Sequence, residues 1–369
     1  MSQGQGILDF YNEIEVLDTA VRDGGRPVGF LLGAGCSASL VSGGVSLIPA
    51  IAGLTETVRA SLVECESDLT VLDEMIKADG VRKPTIEDWL SRLRGMIPVM
   101  GKDGVRGLTA HAITDLERSV TRAIATTLDV ELPLEAGGFG SLTRWIGSPK
   151  RQTPTEIFTL NYDLLMETSL ERAQVPYFDG FVGSVRPYLD LRSIEDETLP
   201  PRWARLWKLH GSIDWVMDGK AVRRSATHDD TNHAMIHPSH LKYDESRKMP
   251  FLLMHDQFRR FMAGDNSTLI TIGYSFGDTH INSAILEGLQ KNPGFVVFAL
   301  MYSEFATYEH FDPSLLASSN FRLISRDVGV IGGIQSSWDT SAEERYPIPI
   351  GSIGDFASLA ALLDDQVRS

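Results

Sequence analysis

The sequence predicts an α/β fold built on a doubly wound, mostly parallel sheet of the Rossmann type with a helical insertion. From about residue 155 onward, short apolar segments of strand length alternate with segments of helical periodicity, as in parallel βαβ units. An earlier apolar segment, Val28–Leu32, runs directly into a glycine turn, as the first strand of such a sheet often does. Hydrophobic residues make up 43% of the chain, which is enough for a sizeable core. We therefore expect a sheet that is covered by helices.

Residues 1–25 are expected to form a short amphipathic helix at the amino terminus. Apolar and acidic residues follow each other there with helical spacing until Gly24 breaks the pattern. The length of 369 residues would allow about two domains. The strand-like segments nevertheless spread along the whole chain, so we expect one domain over 26–369 with a helical insertion at about 55–150.

The other elements are predicted from periodicity and capping signals. In the insertion, Thr85 is expected to cap a helix that has Glu87 and Asp88 in its first turn, and HAITDLERSVTRAIATTL forms a second helix. The proline-bearing, charged stretch 183–200 is expected to be an exposed loop. The remaining strands and helices are predicted, in order, in EIFTLNYD, LLMETSLERA, RLWKLHGSIDW, TLITIGYSFGDTHINSAILEGLQ, GFVVFALMY, FRLISRDV and DFASLAALLDDQV. In RLWKLHGSIDW the strand is expected to run into a loop.

Charge and cysteine content exclude several classes of protein. The formal net charge is −15, which disfavours binding of nucleic acid over the whole surface. Cys36 and Cys65 are the only cysteines, so neither a disulfide framework nor a zinc module held by four cysteines can form. The amino terminus is polar and acidic, and the longest apolar runs are only of strand length. We expect a cytoplasmic protein without a membrane segment.

Polar or glycine-rich clusters follow four of the predicted strands. Because ligands of open α/β sheets bind outside the carboxyl ends of the strands, the clusters are expected to form one site. They are Gly33-Ala34-Gly35-Cys36-Ser37-Ala38, Asn161-Tyr162-Asp163, His210-Gly211-Ser212, and Gly273-Tyr274-Ser275-Phe276 with Asp278 and Asn282 just beyond.

The first cluster fits the dinucleotide pattern G-x-G-x-x-A. Its glycines would let the backbone approach a pyrophosphate, although a glycine turn without a ligand would look the same. An ordinary dehydrogenase also needs an acidic residue at a strand tip about 20 positions further on. Glu56 lies at about that distance but inside a helical stretch, which disfavours a dehydrogenase. Cys36 is either a thiol activated by a helix amino terminus or, the reading we prefer, a small packing residue.

Each of the other clusters has a structural and a functional interpretation. Asn161 and Asp163 could cap a helix or bind hydroxyls, a carboxamide or water. His210 could be a structural residue or a general base near neutral pH. Asp278 could cap the helix that begins near His280 or belong to the site.

A group of four histidines does not predict a metal site. Their intervals of 5, 4 and 3 match no zinc pattern, and the surrounding sequence THDDTNHAMIHPSHLK is typical of a polar loop. We therefore expect no metal. The histidines are His228, His233, His237 and His240.

Taken together, the four clusters resemble the sirtuin-like NAD-binding fold. Sirtuins carry, in this order, a GAGxS loop, an N-x-D motif, an H-G dipeptide and a G-x-S loop. The segments LNYD, KLHGSIDW and GYSFGD are especially similar to those of sirtuin-like domains in bacterial antiphage defence proteins. These proteins include stand-alone subunits that associate with a HerA-type ATPase. The resemblance covers residues 33 to 282.

The departures from the family bear on the expected activity. Deacylating sirtuins have a four-cysteine zinc module, and after the first loop they continue into a proline-acid-aromatic-arginine segment where this chain reads SLIPAIAGL. The defence branch is associated with cleavage of NAD to nicotinamide and ADP-ribose, which depletes the infected cell of NAD. The resemblance therefore implies an NAD hydrolase that takes NAD as its substrate. The alternatives are a non-catalytic module that senses NAD or ADP-ribose, and an NAD-dependent protein deacylase or ADP-ribosyltransferase.

The resemblance also implies a role for each cluster. The GAGCS loop would hold the pyrophosphate, and the Gly273 loop would lie near the adenine ribose. Asp163 would bind the nicotinamide carboxamide, Asn161 the ribose or the attacking water, and His210 would be the base. The residues expected to bind NAD are Gly33, Ala34, Gly35, Cys36, Ser37, Gly273, Tyr274, Ser275, Asp278 and Asn282.

Partners are also implied by the resemblance. An NAD-destroying enzyme has to be silent until it is needed, and the sequence after the GYSF region is expected only to complete the sheet. We therefore expect control by self-assembly into a homo-oligomer or by a protein partner such as a HerA-type ATPase.

Overall fold

The computed structural model describes most of the chain. The described residues are 6–96, 104–195, 198–219, 221–225, 233–235 (backbone only), 250–308 and 311–368. The strands are β1 (Gly6–Leu8), β2 (Val28–Leu32), β3 (Val41–Ser42), β4 (Val45–Ser46), β5 (Thr155–Thr159), β6 (Tyr177–Phe178), β7 (Phe181–Val182), β8 (Tyr188–Leu189), β9 (Ala204–Lys208), β10 (Gly211–Asp218), β11 (Ala221–Arg224), β12 (His233–Met235), β13 (Thr268–Ile272), β14 (Val296–Leu300), β15 (Phe321–Ile324), β16 (Val328–Ile331) and β17 (Ile334–Trp338).

Helices fill most of the connections between the strands. They are α1 (Phe10–Arg22), α2 (Ala34–Ala38), α3 (Ile51–Ser61), α4 (Glu66–Ala78), α5 (Ile86–Met96), α6 (Ala110–Leu128), α7 (Gly137–Ile146), α8 (Leu165–Arg172), α9 (Leu191–Glu195), α10 (Phe251–Ala263), α11 (Thr279–Lys291), α12 (Pro313–Leu316) and α13 (Phe356–Arg368).

The main sheet has ten strands in the order β1-β17-β16-β15-β14-β13-β2-β5-β9-β6. Neighbouring strands are parallel except where β16 pairs with β15 and β17. The chain runs from β2 to β5 and β9 on one side, and then continues through β13, β14 and β15 on the other. The strand order therefore reverses between β2 and β13, where an open α/β sheet forms its ligand crevice. The predicted fold class is confirmed.

The central strands β2, β13 and β14 are buried on both faces, which explains why they are almost continuously apolar. Phe30 and Leu32 of β2 join one hydrophobic cluster, whereas Leu31 between them joins the other. Helices α1, α3 to α8 and α13 contribute to the first cluster, and α10 to α12 contribute to the second. The sheet is thus held between two helical layers, and its strand ends are fixed in position.

Helices α3 to α7 lie between β2 and β5 in the chain, in the region of the expected insertion. The start of α5 shows why this segment is helical. The backbone N–H and the hydroxyl of Thr85 both donate to Asp88 Oδ2, at 2.8 and 2.9 Å, so the first-turn carboxylate satisfies a donor at the helix start. Trp89 and Leu93 then face the core.

Two local predictions were wrong. The stretch 183–200 is not simply an exposed loop, because it contains β8 and α9, and Ile194 of α9 is buried in the second hydrophobic cluster. The sequence after His210 does not remain a loop either, since β10 begins at Gly211. β10 belongs to a second, antiparallel sheet in the order β12-β10-β11-β8-β7. In both segments the missed strands are defined by pairing with other short strands of this sheet, because β8 pairs with β7 and β11, and β10 pairs with β11 and β12.

The amino-terminal segment contributes to the same architecture. Helix α1 lies within the predicted 1–25, and its apolar face, including Phe10 and Leu17, is buried in the first cluster. Before it, β1 pairs in parallel with β17 at the edge of the main sheet, which periodicity did not predict. Within the described ranges, every helix is too short or too polar to cross a membrane.

Candidate active site

The glycine loops after β2 and β13 pack directly against each other at the point where the strand order reverses. Gly33 N–H donates to Ile272 O at 3.0 Å, and Gly35 N–H donates to Gly273 O at 2.9 Å. A Cβ on Gly33 would lie 2.3 Å from Gly273 O, and one on Gly273 would lie 2.4 Å from Cys36 N. The glycines are therefore required by the contact between the two loops.

This contact changes the role expected for the first loop. The backbone N–H groups of Gly33 and Gly35 are engaged with the β13 side, and Cys36 N–H donates to Gly33 O at 3.0 Å. These three donors are not free for a pyrophosphate. In the structure these residues form part of the cavity wall. Their N–H groups bond to the protein itself, which differs from the phosphate-binding role that the glycine pattern predicts.

Cys36 is a packing residue in this structure. Its side chain is fully buried, and Sγ lies 3.2 Å from Ile272 O. Burial raises the pKa of the Cys36 thiol, and the nearby Asp163 carboxylate raises it further. A thiol of this kind is inert, so Cys36 supports the contact between the loops and is not a nucleophile.

The loop after β5 is tied to the first loop through Ser37. Asn161 Nδ2 donates to Gly33 O at 3.0 Å and to Ser37 Oγ at 2.9 Å, and Ser37 Oγ donates to Asp163 Oδ2 at 2.7 Å. Both amide hydrogens of Asn161 are thereby used. Its Oδ1 accepts no hydrogen bond from the described residues, which leaves an acceptor for water or a hydroxyl group.

Asp163 bonds to the start of a helix and also belongs to the candidate site. Its Oδ1 accepts a hydrogen bond from the backbone of Leu165 at 3.1 Å, at the start of α8, while the side chain also lines the cavity. Burial raises the pKa of Asp163, and the charge of Lys208 together with the bonds from Ser37 and Leu165 opposes that rise. Lys208 on β9, Ser37 on α2 and Leu165 on α8 therefore stabilise the charged form of Asp163 against the effect of burial.

His210 and Asp278 form a buried pair that the sequence did not predict. His210 Nε2 lies 3.3 Å from Asp278 Oδ2, and both side chains are buried. Asp278 also caps α11, because Oδ1 accepts from the N–H groups of His280 at 2.9 Å and Ile281 at 3.3 Å. Asp278 is thus the cap of α11, and it also lines the cavity described below.

Tyr274 and Asn282 brace the loop after β13 from within. The hydroxyl of Tyr274 donates to Asn282 Oδ1 at 2.7 Å, and Asn282 Nδ2 donates to Phe276 O at 2.7 Å. Burial raises the pKa of Tyr274 well above its ordinary value. The amide of Asn282 is engaged inside the loop and positions it, and the expected contact of Asn282 with NAD stays a prediction.

Two cavities meet at these loops. The first has a volume of about 500 Å³ and is lined by Asn161, Asp163, His210 and Asp278. The second has a volume of about 610 Å³ and extends over the ends of β13 and β14 to Asp355. Their common wall consists of Ala34, Gly35, Ala38, Gly273, Tyr274 and Ser275. Two adjoining cavities on either side of a narrow wall suit a ligand with two bulky halves.

Several cavity residues escaped the sequence analysis. The insertion supplies Ile51, Leu54 and Glu87 to the first cavity, and distant segments supply Tyr302 and Tyr308 to the second. None of these residues belongs to a motif at a strand end. Gly354 and Asp355, which precede α13, also line the second cavity, and the capping acid is the one signal that could have pointed to them.

The histidine group cannot be placed. His228, His237 and His240 lie outside the described residues, and His233 contributes only its backbone to β12. In the part of the chain that the structure describes, no three His, Cys, Asp or Glu side chains are grouped so as to hold a metal ion.

The fold and the site define an α/β protein whose ligand crevice lies at the reversal point of a doubly wound sheet. A family model described as a SIR2-like domain matches residues 155–324, which run from β5 to β15. The matched segment contains Asn161, Asp163, His210 and the loop after β13, and the match supports a sirtuin-like domain with a function related to NAD. No curated protein matches the chain.

Proposed function

We propose that this protein is an NAD glycohydrolase that cleaves the bond between nicotinamide and ribose to give nicotinamide and ADP-ribose. The observation that supports this proposal is the convergence of Asn161, Asp163 and the His210–Asp278 pair on one cavity. The adjoining cavity would take the adenosine half of the substrate. The match to a SIR2-like domain agrees with use of NAD.

The mechanism follows from the groups that face the first cavity. Departure of nicotinamide leaves positive charge at C1′ of the ribose, and a water oxygen then bonds to C1′ as its proton moves to a base. In this proposal the imidazole of His210, whose Nε2 lies 3.3 Å from Asp278 Oδ2, accepts a proton from water or from a ribose hydroxyl. Asp278 stabilises the imidazolium that forms.

Two further side chains would position the reactants. Asn161 Oδ1 would accept a hydrogen bond from the ribose or the attacking water. Asp163 would accept a hydrogen bond from the carboxamide of nicotinamide and thereby hold the leaving group. Ser37 connects these two side chains, so that both keep a fixed distance from the first loop.

A direct assay tests the proposal. Purified protein is incubated with NAD, and nicotinamide and ADP-ribose are measured. We expect His210→Ala and Asn161→Ala each to lower the rate by about 10²–10⁴-fold, as loss of a general base or its oriented water does. His111→Ala is the matched control, because His111 is 87% exposed on α6. Full NAD cleavage by both site variants would refute the assignment.

The same assay separates the alternative functions. Turnover that requires an acetylated peptide would indicate a deacylase, and binding of NAD without turnover, with or without a partner, would indicate a sensor. The chain has only two cysteines and so lacks the four-cysteine zinc module of deacylating sirtuins, which favours hydrolysis without a peptide.

We also propose that the biological role is antiphage defence by depletion of NAD, with activity controlled by self-assembly or by a HerA-type ATPase. The similarity of the motifs to defence proteins supports this role. Cells that express the wild type should lose NAD after infection, whereas cells with His210→Ala should keep it. Survival of infected cells with unchanged NAD in both cases would contradict the role and leave the hydrolase proposal standing.

A further inference from the structure

Lys208 lies directly beneath the candidate active site, where β9 ends. Its side chain is only 1% exposed, so the ammonium group is almost fully removed from water. Nζ donates to three oxygens: Tyr162 O at 3.2 Å, Asp163 O at 2.5 Å and Glu167 Oε1 at 2.9 Å. All of its donors are therefore used.

The three acceptors connect Lys208 to the loop that carries the site residues. Two of them are consecutive backbone carbonyls in the loop after β5, and the third is on α8. The same loop presents Asn161 and Asp163 to the cavity. A change in the position of Nζ would therefore move the backbone of Asp163 itself.

Lys208 is also the cation of a buried acidic cluster. Asp163 and Glu167 are buried and Asp214 is partly buried, and the charge of Lys208 opposes the rise that burial causes in the pKa of Asp163 and Asp214. Glu167 Oε2 and Asp214 Oδ1 are buried without a hydrogen-bond partner. A carboxylate in such surroundings needs a nearby cation to remain ionised.

We propose that Lys208 is a positioning residue for NAD cleavage, which fixes the Tyr162–Asp163 backbone and keeps the Asp163 carboxylate ionised towards the nicotinamide cavity. The inference rests on the proposed function, because it assigns Lys208 a part in that same site. The sequence motifs do not indicate this role, because Lys208 lies at the end of β9 and is not part of the H-G dipeptide.

Two substitutions in the same ion pair separate an electrostatic role from a merely structural one. The charged or titratable side chains around Asp163 are Lys208 on β9, Glu167 on α8 and Cys36 on α2, with Asp214 on β10 beyond Lys208. Lys208→Met removes the cation, so Asp163 becomes harder to ionise. Glu167→Gln removes an anion, so Asp163 becomes easier to ionise.

The measurement is the pH dependence of kcat/KM for NAD, whose acid limb reports the protonation of Asp163 as well as that of the base His210. We expect the acid limb to move to higher pH in Lys208→Met and to lower pH in Glu167→Gln, each by about one pH unit. Lys208→Met should also lower kcat by about 10-fold or more through misplacement of the loop. Arg205→Met is the control, since Arg205 pairs with Glu156 on the same strands, and its acid limb should not move. Shifts in the same direction, or none, would overturn the proposal.

Unfolding by urea distinguishes failure of this inference from failure of the proposed function. If the wild type does not cleave NAD, the proposed hydrolase activity is contradicted. The role of Lys208 is then tested by the free energy of unfolding. The loss of stability in Lys208→Met should be larger at pH 7 than at pH 4, because protonation of the carboxyls relieves the missing charge. A loss that is equal at both pH values shows that Lys208 only packs. If Lys208→Met does not fold, Glu167→Gln still tests the proposal, because the acid limb of its kcat/KM profile must move to lower pH.

Discussion

Asp278 and Asp163 show that a capping role and a site role coexist in one side chain. Each carboxylate uses one oxygen for the start of a helix and the other for a site residue, which is His210 for Asp278 and Ser37 for Asp163. A helix that follows a parallel strand begins at the edge of the crevice, so its cap lies there as well. The residues could be predicted from sequence, but their pairing could not, because it joins segments that are distant in the chain.

His255 is a buried histidine on the helical layer behind the site. It is 5% exposed on α10, and its Nε2 is buried without a hydrogen-bond partner. Burial lowers the pKa of His255 to about 3, and the nearby His210 and Arg259 act in the same direction. The folded state therefore holds the ring neutral.

This burial predicts a specific acid sensitivity. The unfolded chain binds a proton at His255 below about pH 6.5, whereas the folded chain does so only near pH 3, so stability falls as the pH falls between these values. Relative to His255→Gln, the wild type should lose about 2 kcal/mol of unfolding free energy between pH 7 and pH 5. Urea unfolding at both pH values measures it, and the exposed His111→Gln is the control. Parallel pH profiles for wild type and His255→Gln would contradict the prediction.

At the scale of elements, the contact between the loops after β2 and β13 determines the shape of the site. The sequence predicts both glycine loops, and the glycine pattern indicates a phosphate site. In the structure the two loops require glycine for each other, since Gly33 and Gly35 both meet Gly273. Which strand lies beside β2 depends on the sheet order, and a single sequence does not show that order.

Gly273→Ala tests this contact. Gly273 has a φ of +65°, and an added Cβ would lie 2.4 Å from Cys36 N, so the substitution introduces both strain and a clash. Gly332→Ala is a matched control, because Gly332 has a φ of +57° with nothing within 4 Å of the added Cβ. We expect Gly273→Ala to lower the unfolding free energy by about 1–3 kcal/mol more than the control does. NAD cleavage should fall only in Gly273→Ala, and equal losses in both variants would show that the close approach is unimportant.

The second sheet marks the limit of prediction for single elements. β10 carries polar residues such as Ser212 and Asp214, which made its beginning resemble a loop. In the structure these residues are accommodated by the Lys208 cluster and by Arg224, whose Nε lies 3.3 Å from Asp214 Oδ2. A buried polar strand is stabilised by partners elsewhere in the chain, and local periodicity carries no information about them.

For the whole molecule, alternation of strands and helices was sufficient to predict the fold class. That signal is local and repeated, so errors at single elements such as β8 or β10 did not change it. The extent of the cavities was not predictable, because residues of the insertion and of the region before α13 reach them from far along the chain. The net charge of −15 does not determine the fold or the cavities, but it bears on how copies of the molecule assemble.

The charge allows the two proposed modes of control to be distinguished. Two copies that each carry −15 repel one another, and salt screens this repulsion, so a homo-oligomer should become more populated as NaCl rises from about 0.05 to about 0.5 M. A partner that presents a complementary basic surface should bind less tightly over the same range. Sedimentation of the purified chain, alone and with the ATPase, measures both, and NAD cleavage in the same samples shows which species is active. A monomer that is fully active at every salt concentration would exclude control by assembly.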